Sequence, residues 1–222
     1  FPVPIKLDGK LDDWAGVPVQ TVARGPMLSK DPLENGSFSF ALASDKEKLY
    51  IQMTSVDKNF ISGKHGGDFW NEDSLEFYLN ATSNLGAKSY GTGMLQVTFS
   101  PADIGNTDPT KPRHFGQGYA NVDLQGFVFK TDTGWGFEAS IPLAKLNVTA
   151  AHGLELGFQA QANGASDKDR NVKLIWSKAD KTDNSYQNPS LFGRALFFEI
   201  GKTEIPKPST VSSAPVVTTT IK

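Results

Sequence analysis

Apolar side chains recur at every second position along much of the chain. They do so at Phe38, Phe40 and Leu42; at Leu49, Ile51 and Met53; at Leu75, Phe77 and Leu79; and at Leu95, Val97 and Phe99. The same period returns at Phe127 and Phe129, at Trp135, Phe137, Ala139 and Ile141, and at Leu154, Leu156, Phe158 and Ala160. The stretches VKLIWS and RALFFEI complete the set. A period of two puts one set of side chains on one face of a strand. Turn signals such as ENGS, SDKEK, FSPADIGN, TDTGWG and ASDKDR separate the runs. No helical period extends beyond a turn or two, PLAKL at 142–146 being the best short candidate. Short strands joined by polar turns predict an all-β chain, an antiparallel, jelly-roll-like β-sandwich with little helix. VPIKLDG predicts an opening strand, and Trp14, in KLDDWAG, a plug closing one end of the sandwich. After Ile205 the composition changes to Pro, Ser, Thr and Val. This divides the chain into a sandwich module over 1–204 and a linker or tail over 205–222.

Length adds that this is one large domain, since 222 residues can bury a sizeable core. The formal net charge is −2 with no basic or acidic block, which argues against nucleic acid or an anionic membrane as partner. No apolar run approaches the ~20 residues of a membrane span. There is no cysteine, so disulfides say nothing of compartment. The start at Phe1 without Met and the sequons at Asn35, Asn80 and Asn147 lead us to expect a secreted chain.

Enzyme signatures are missing. No G-x-S-x-G or related nucleophile motif occurs, and His65, His114 and His152 are scattered through loop-like segments without metal-ligand spacing. Asp73 and Glu76, three apart on one strand, leave opposite faces and cannot converge on a glycosidic bond. Asp73 instead starts the strand as a turn cap.

Binding is better supported. Ser74, Glu76 and Tyr78, then Met94, Gln96 and Thr98, then Glu155, Gln159, Gln161 and Asn163 fall on the non-core face of their strands. Amides and carboxylates on one sheet face suit sugar hydroxyls, which both donate and accept. Trp70, in DFWNEDSLEFYLN, and Tyr186, in DKTDNSYQNPSLFG, lie in polar loops where a core role is hard to assign. Flat aromatic faces pack against the C–H faces of sugar rings. Trp135 and Trp176 sit on strands and read as structural.

Several of these stretches, in order, resemble a family 9 carbohydrate-binding module: LDGKLDDWAGV, LYIQMTSVD, FWNEDSLEFYLN, GFQAQANG and IWSKADKTDNSYQNPSLFG. The resemblance covers roughly residues 5–201. It implies a β-sandwich that grips a glucan or xylan chain end, often the reducing end, between two aromatic rings. Carried over by motif, those rings are Trp70 and Tyr186, the latter where the family has Trp. Glu76 and Gln161 match polar ligands. Asp183 and Asn184 fall on an Asn pair, and Gln96 falls where the family has an Arg, so a charge-assisted donor is lost there. No cofactor is required, although structural calcium can accompany the family, with SVDKNF and ASDKDR as acidic loops. The implied partner is a polysaccharide or oligosaccharide, bound by a monomeric module. Rival readings are an adhesive or structural sandwich without a sugar site, and a haem b electron-transfer domain using Met53, Met94 or His65.

Overall fold

The computed structural model describes residues 1–210. It contains the strands Val19–Val22 (β1), Ser37–Ser44 (β2), Lys48–Val56 (β3), Ser74–Asn80 (β4), Met94–Phe99 (β5) and His114–Gln117 (β6). They are followed by Gln125–Lys130 (β7), Gly134–Pro142 (β8), Leu154–Ala165 (β9), Arg170–Ile175 (β10), Gly193–Leu196 (β11) and Ser209–Thr210 (β12). Helix among the described residues is confined to 3-10 turns of three or four residues. One of them, Leu143–Leu146, occupies the PLAKL segment. The all-β sandwich expected from the alternation is the fold found.

One sheet has the order β1-β2-β3-β8-β7 and the other β10-β9-β4-β5-β6, with β11 and β12 also pairing with β9. Every pairing is antiparallel except β12 with β9. The alternating apolar set of each sheet faces the other, as period-two burial requires. Leu75, Phe77, Leu79, Val97, Phe99 and Phe158 meet Phe38, Ile51, Met53, Phe137 and Ile141 in one core. Phe99 and Phe137 lie 4.4 Å apart between ring centroids, and Phe40 and Phe158 lie 5.5 Å apart. Each such ring removes roughly 1.5–3 kcal/mol worth of apolar surface from water. Trp135 is part of this core, and Trp176 packs edge-on to Phe40 at 5.2 Å.

The N-terminal segment departs from expectation. VPIKLDG is not a strand, and Trp14 does not plug an end of the sandwich. Trp14 lies over the outer face of the five-stranded sheet, in a second cluster with Ile5, Ala41, Ala43 and Tyr50. The small residues Ala41 and Ala43 leave room there for an indole. Glu138 moors the segment, accepting from the Asp8 and Gly9 N–H groups and from Trp14 Nε1 at 2.8–3.0 Å. A run that satisfies its backbone through a carboxylate need not join a sheet. In the segment from 205 onward, Ser209–Thr210 runs parallel to Leu154–Glu155. The rest of it, 211–222, lies outside the described residues.

Candidate functional site

The outer face of the seven-stranded sheet carries polar residues in cross-strand rows. One row is Phe115–Thr98–Glu76–Gln161, a second is Gln117–Gln96–Tyr78–Gln159, and a third is Ser74–Asn163–Lys173. A polar sheet face is ordinarily wet. Here long loops fold over it, so Glu76, Tyr78, Thr98, Gln159, Gln161, Asn163 and Lys173 are all buried.

The first loop carries Trp70. In the 3-10 turn Phe69–Asn71, Phe69 points inward and is buried, which turns its neighbour Trp70 outward at 41% exposure. Glu72, fully buried, accepts from the backbone N–H groups of Gly63, Lys64 and His65 at 2.8–3.2 Å. His65 is no free loop histidine: its ring bridges Glu72 at 3.3 Å and Asp169 at 2.7 Å. The hydrogen bond to Asp169 holds the imidazole above its ordinary pKa. Asn71 also reaches Asp169. Trp70 is therefore set on a loop whose backbone is fixed on both sides.

The second loop carries Tyr186, 44% exposed. Its hub is Asp180, a buried carboxylate that accepts from the Asn184 and Ser185 N–H groups and from Ser185 Oγ. Gln117 Nε2 donates to the Tyr186 carbonyl at 2.7 Å, tying this loop to β6.

Between the loops is a cleft of about 790 Å³, lined by Trp70, Tyr186, Glu76, Gln96, Asp183 and Asn184 among others. Six of the seven residues singled out in the sequence thus meet at one place. The seventh, Gln161, sits beside Glu76 in the same row but does not line the cleft. It is fully buried, with Oε1 3.1 Å from the Tyr78 hydroxyl and Nε2 3.3 Å from Asp180 Oδ2. Its position joins the cleft floor to the hub of the Tyr186 loop.

Among the lining residues not picked out as site residues in the sequence are Tyr78, Arg170 and Lys173. Lys173 Nζ sits 2.6 Å from Glu76 Oε2, 2.9 Å from Asn163 Oδ1 and 3.3 Å from Asp183 Oδ1. Arg170 Nη1 donates to Asn163 and Asp183 at 2.9 and 3.0 Å, and its guanidinium lies 5.5 Å from the Trp70 ring centroid. Lys173 was readable, since it alternates with the core residues Val172 and Leu174. Arg170 was not. By parity it belongs with Val172, but a bulge between Arg170 and Val172 turns it to the cleft face. Cationic donors therefore reach the cleft from β10, although position 96 on β5 is Gln.

Burial pushes the Glu76 carboxyl up, but the Lys173 ammonium outweighs it, helped by hydrogen bonds from Lys173, Tyr78 and Thr98. The net result is a carboxyl held below its ordinary range. Burial and then the Glu76 charge hold the Tyr78 phenol well above its usual value, so it stays protonated. The floor thus offers an ionised acceptor beside neutral and cationic donors.

Asp73 starts β4 as expected, accepting from the Ile61 N–H at 2.6 Å. Burial, opposed by that bond and reinforced by the Asp57 carboxyl, pushes it up to about 8. Asp57 and Asp73 line a cavity of about 20 Å³ with Asn163 and Gly164. Asp169, from the other acidic loop, is instead bound to His65 and Asn71. Among the described residues no three His, Asp or Glu side chains gather as a metal-ligand group.

The haem reading finds no support in these positions: Met53 is in the inter-sheet core and His65 is held by two carboxylates. Of the sequons, Asn80 is corrected. It is fully buried and bonded to Thr82 and Asn84, which closes it to a glycan, whereas Asn147 is exposed and Asn35 partly so. No helix of the described residues is long and apolar enough to cross a membrane.

A β-sandwich with a polar-floored cleft between two exposed rings defines a class of binding module. The family described as Carbohydrate family 9 binding domain-like matches residues 7–199, and the chain belongs to that family, a non-catalytic one. It resembles a family 9 carbohydrate-binding module from Caldicellulosiruptor kristjanssonii solved in complex with cellotriose. That likeness has 23% identity and a TM-score of 0.70, covering 89% of this chain and 91% of that one. The structure of such a module from the same organism in complex with glucose gives 22% identity and a TM-score of 0.71, covering 92% and 97%. Endo-1,4-beta-xylanase A of Thermotoga neapolitana is 24% identical over 193 residues, 84% of this chain. Endo-1,4-beta-xylanase A of Thermotoga maritima is 25% identical over the same length. The chain spans only 16% of the length of either xylanase.

Proposed function

We propose that this chain binds the end of a glucan or xylan chain, gripped between Trp70 and Tyr186, with Glu76 as acceptor and Gln96, Asp183 and Asn184 as further polar contacts. Gln161 acts indirectly, by positioning Tyr78 and Asp180. The observation that carries this reading is the single cleft that has both exposed rings on its walls and Glu76 on its floor. Arg170 brings a guanidinium to the cleft wall where Gln96 offers only an amide, while the three Lys173 donors are spent on Glu76, Asn163 and Asp183. The solved relatives with cellotriose and glucose, and the xylanases, support a β-linked glucan or xylan. Acting on such polymers, the module would work outside the cell, and as a single copy. Calcium, where bound, would be drawn to the paired carboxyl groups of Asp57 and Asp73 at the cavity of about 20 Å³.

Calorimetric titration with cellobiose, xylobiose and their reduced alditols tests the proposal. Heat with the sugars and none with the alditols is the expected result. Heat with both would remove the requirement for a reducing end, and no heat with any would contradict sugar binding.

A further inference from the structure

Asp183 carries a charge into a place where the resemblance implies an amide, and that charge is fully engaged. Its two carboxylate oxygens lie 3.0 Å from Arg170 Nη1 and 3.3 Å from Lys173 Nζ. Asp183 holds this position with φ at +61°, in the left-handed region that Asp and Asn tolerate better than most residues. Lys173 is already paired with Glu76 at 2.6 Å. The cleft wall thus contains two cations and two carboxylates, with no net charge left for a ligand.

We infer that Asp183 is a specificity residue: by occupying Arg170 and Lys173 with its own carboxylate, it makes the cleft select neutral sugars and reject uronic acids. The inference rests on the sugar-binding reading above and names the substrate class of that same cleft. A uronate carboxylate entering the cleft meets Asp183 and Glu76 as like charges, while the two cations are already occupied. Like-charge juxtaposition in a partly desolvated site discriminates against the wrong partner. Removing the Asp183 carboxylate leaves one uncompensated cation, carried mainly by Arg170, facing the ligand. The selectivity should then turn toward the acidic sugar.

The test uses D-glucose and D-glucuronate, which differ only in hydroxymethyl against carboxylate at C5, titrated by chemical-shift perturbation into the whole chain. Wild type is expected to bind glucose more tightly than glucuronate. Asp183→Asn should move the affinity ratio about tenfold toward glucuronate, with the shift shrinking at high salt. Asp183→Gly, which also fits a positive φ, should move it the same way and guards against an effect peculiar to the amide. The double variant D183N/R170Q, with the extra cation removed, should return the ratio toward the wild-type value. A wild-type chain that takes glucuronate as readily as glucose, or variants whose ratio stays within twofold of wild type, would overturn the inference and leave the sugar reading standing. Wild type binding neither sugar would overturn both.

Discussion

Lys173 Nζ lies 2.6 Å from Glu76 Oε2, and both side chains are almost completely buried beneath the cleft. Neither is a surface ornament: each is the other's main compensation for leaving water. Breaking one side of such a pair leaves an unpaired buried charge, at a cost of about 3–5 kcal/mol. Lys173→Met should lower stability by that amount in urea unfolding, and the double variant E76Q/K173M should recover much of it. Equal losses in the single and double variants would show that the pair itself matters little.

The same pair sets an acid limit. Glu76 titrates below its ordinary range in the folded protein, so its ionised form adds stability at every pH above the unfolded carboxylate's value of about 4.3. That contribution is lost as pH falls through the lower folded-state value. Unfolding free energy should therefore drop between about pH 4.5 and the acid transition, with a slope of up to about 1.4 kcal/mol per pH unit from this group. Glu76→Gln should flatten the slope in that window and leave the region above pH 5 unchanged in shape.

Gln161 and Gln96 separate positioning from contact. Gln161 is spent on Tyr78 and Asp180, whereas Gln96 lines the cleft, near Tyr78 and accepting from Gln117. Gln161→Ala removes two buried hydrogen bonds, while Tyr78 keeps Glu76 and Asp180 keeps Ser185, and should lower stability by about 1–3 kcal/mol as well as weakening sugar binding. Gln96→Ala should weaken binding with less than half that stability loss. Paired calorimetry and thermal unfolding of the two variants decide it.

Much of this site was legible because alternation assigns a face without knowledge of the fold. Glu76, Gln96 and Gln161 fall on the non-core face of β4, β5 and β9 by parity alone. The exposed rings were legible because Trp70 and Tyr186 sit in polar loops that offer no apolar partner. What alternation cannot report is which loop covers that face, and this is why Gln161 is bonded to Asp180 of the Tyr186 loop instead of lining the cleft. Nor can it foresee a bulge: one extra residue at Asn171 reverses the parity of Arg170 and brings a guanidinium beside Trp70. Trp14 and VPIKLDG eluded the pattern for a related reason, since their anchor, Glu138, is more than a hundred residues away.

Calcium gives a further check. If Asp57 and Asp73 hold the ion, adding calcium at a hundred times its dissociation constant should raise stability by about 2.7 kcal/mol, and chelation should reverse the gain. Asp73→Asn should abolish the response. A melting temperature indifferent to calcium in the wild type would exclude binding at that pair.

Whether two exposed rings bind one sugar is tested by calorimetric titration of cellotriose into wild type, Trp70→Ala and Tyr186→Ala, with unfolding midpoints recorded on the same samples. Both rings are more than two-fifths exposed, so truncation should change stability by no more than about 1 kcal/mol. Binding should weaken by about 2 kcal/mol or more in each variant, as for anchoring aromatic residues at other interfaces. Cellotriose affinity that survives loss of either ring unchanged would contradict the account.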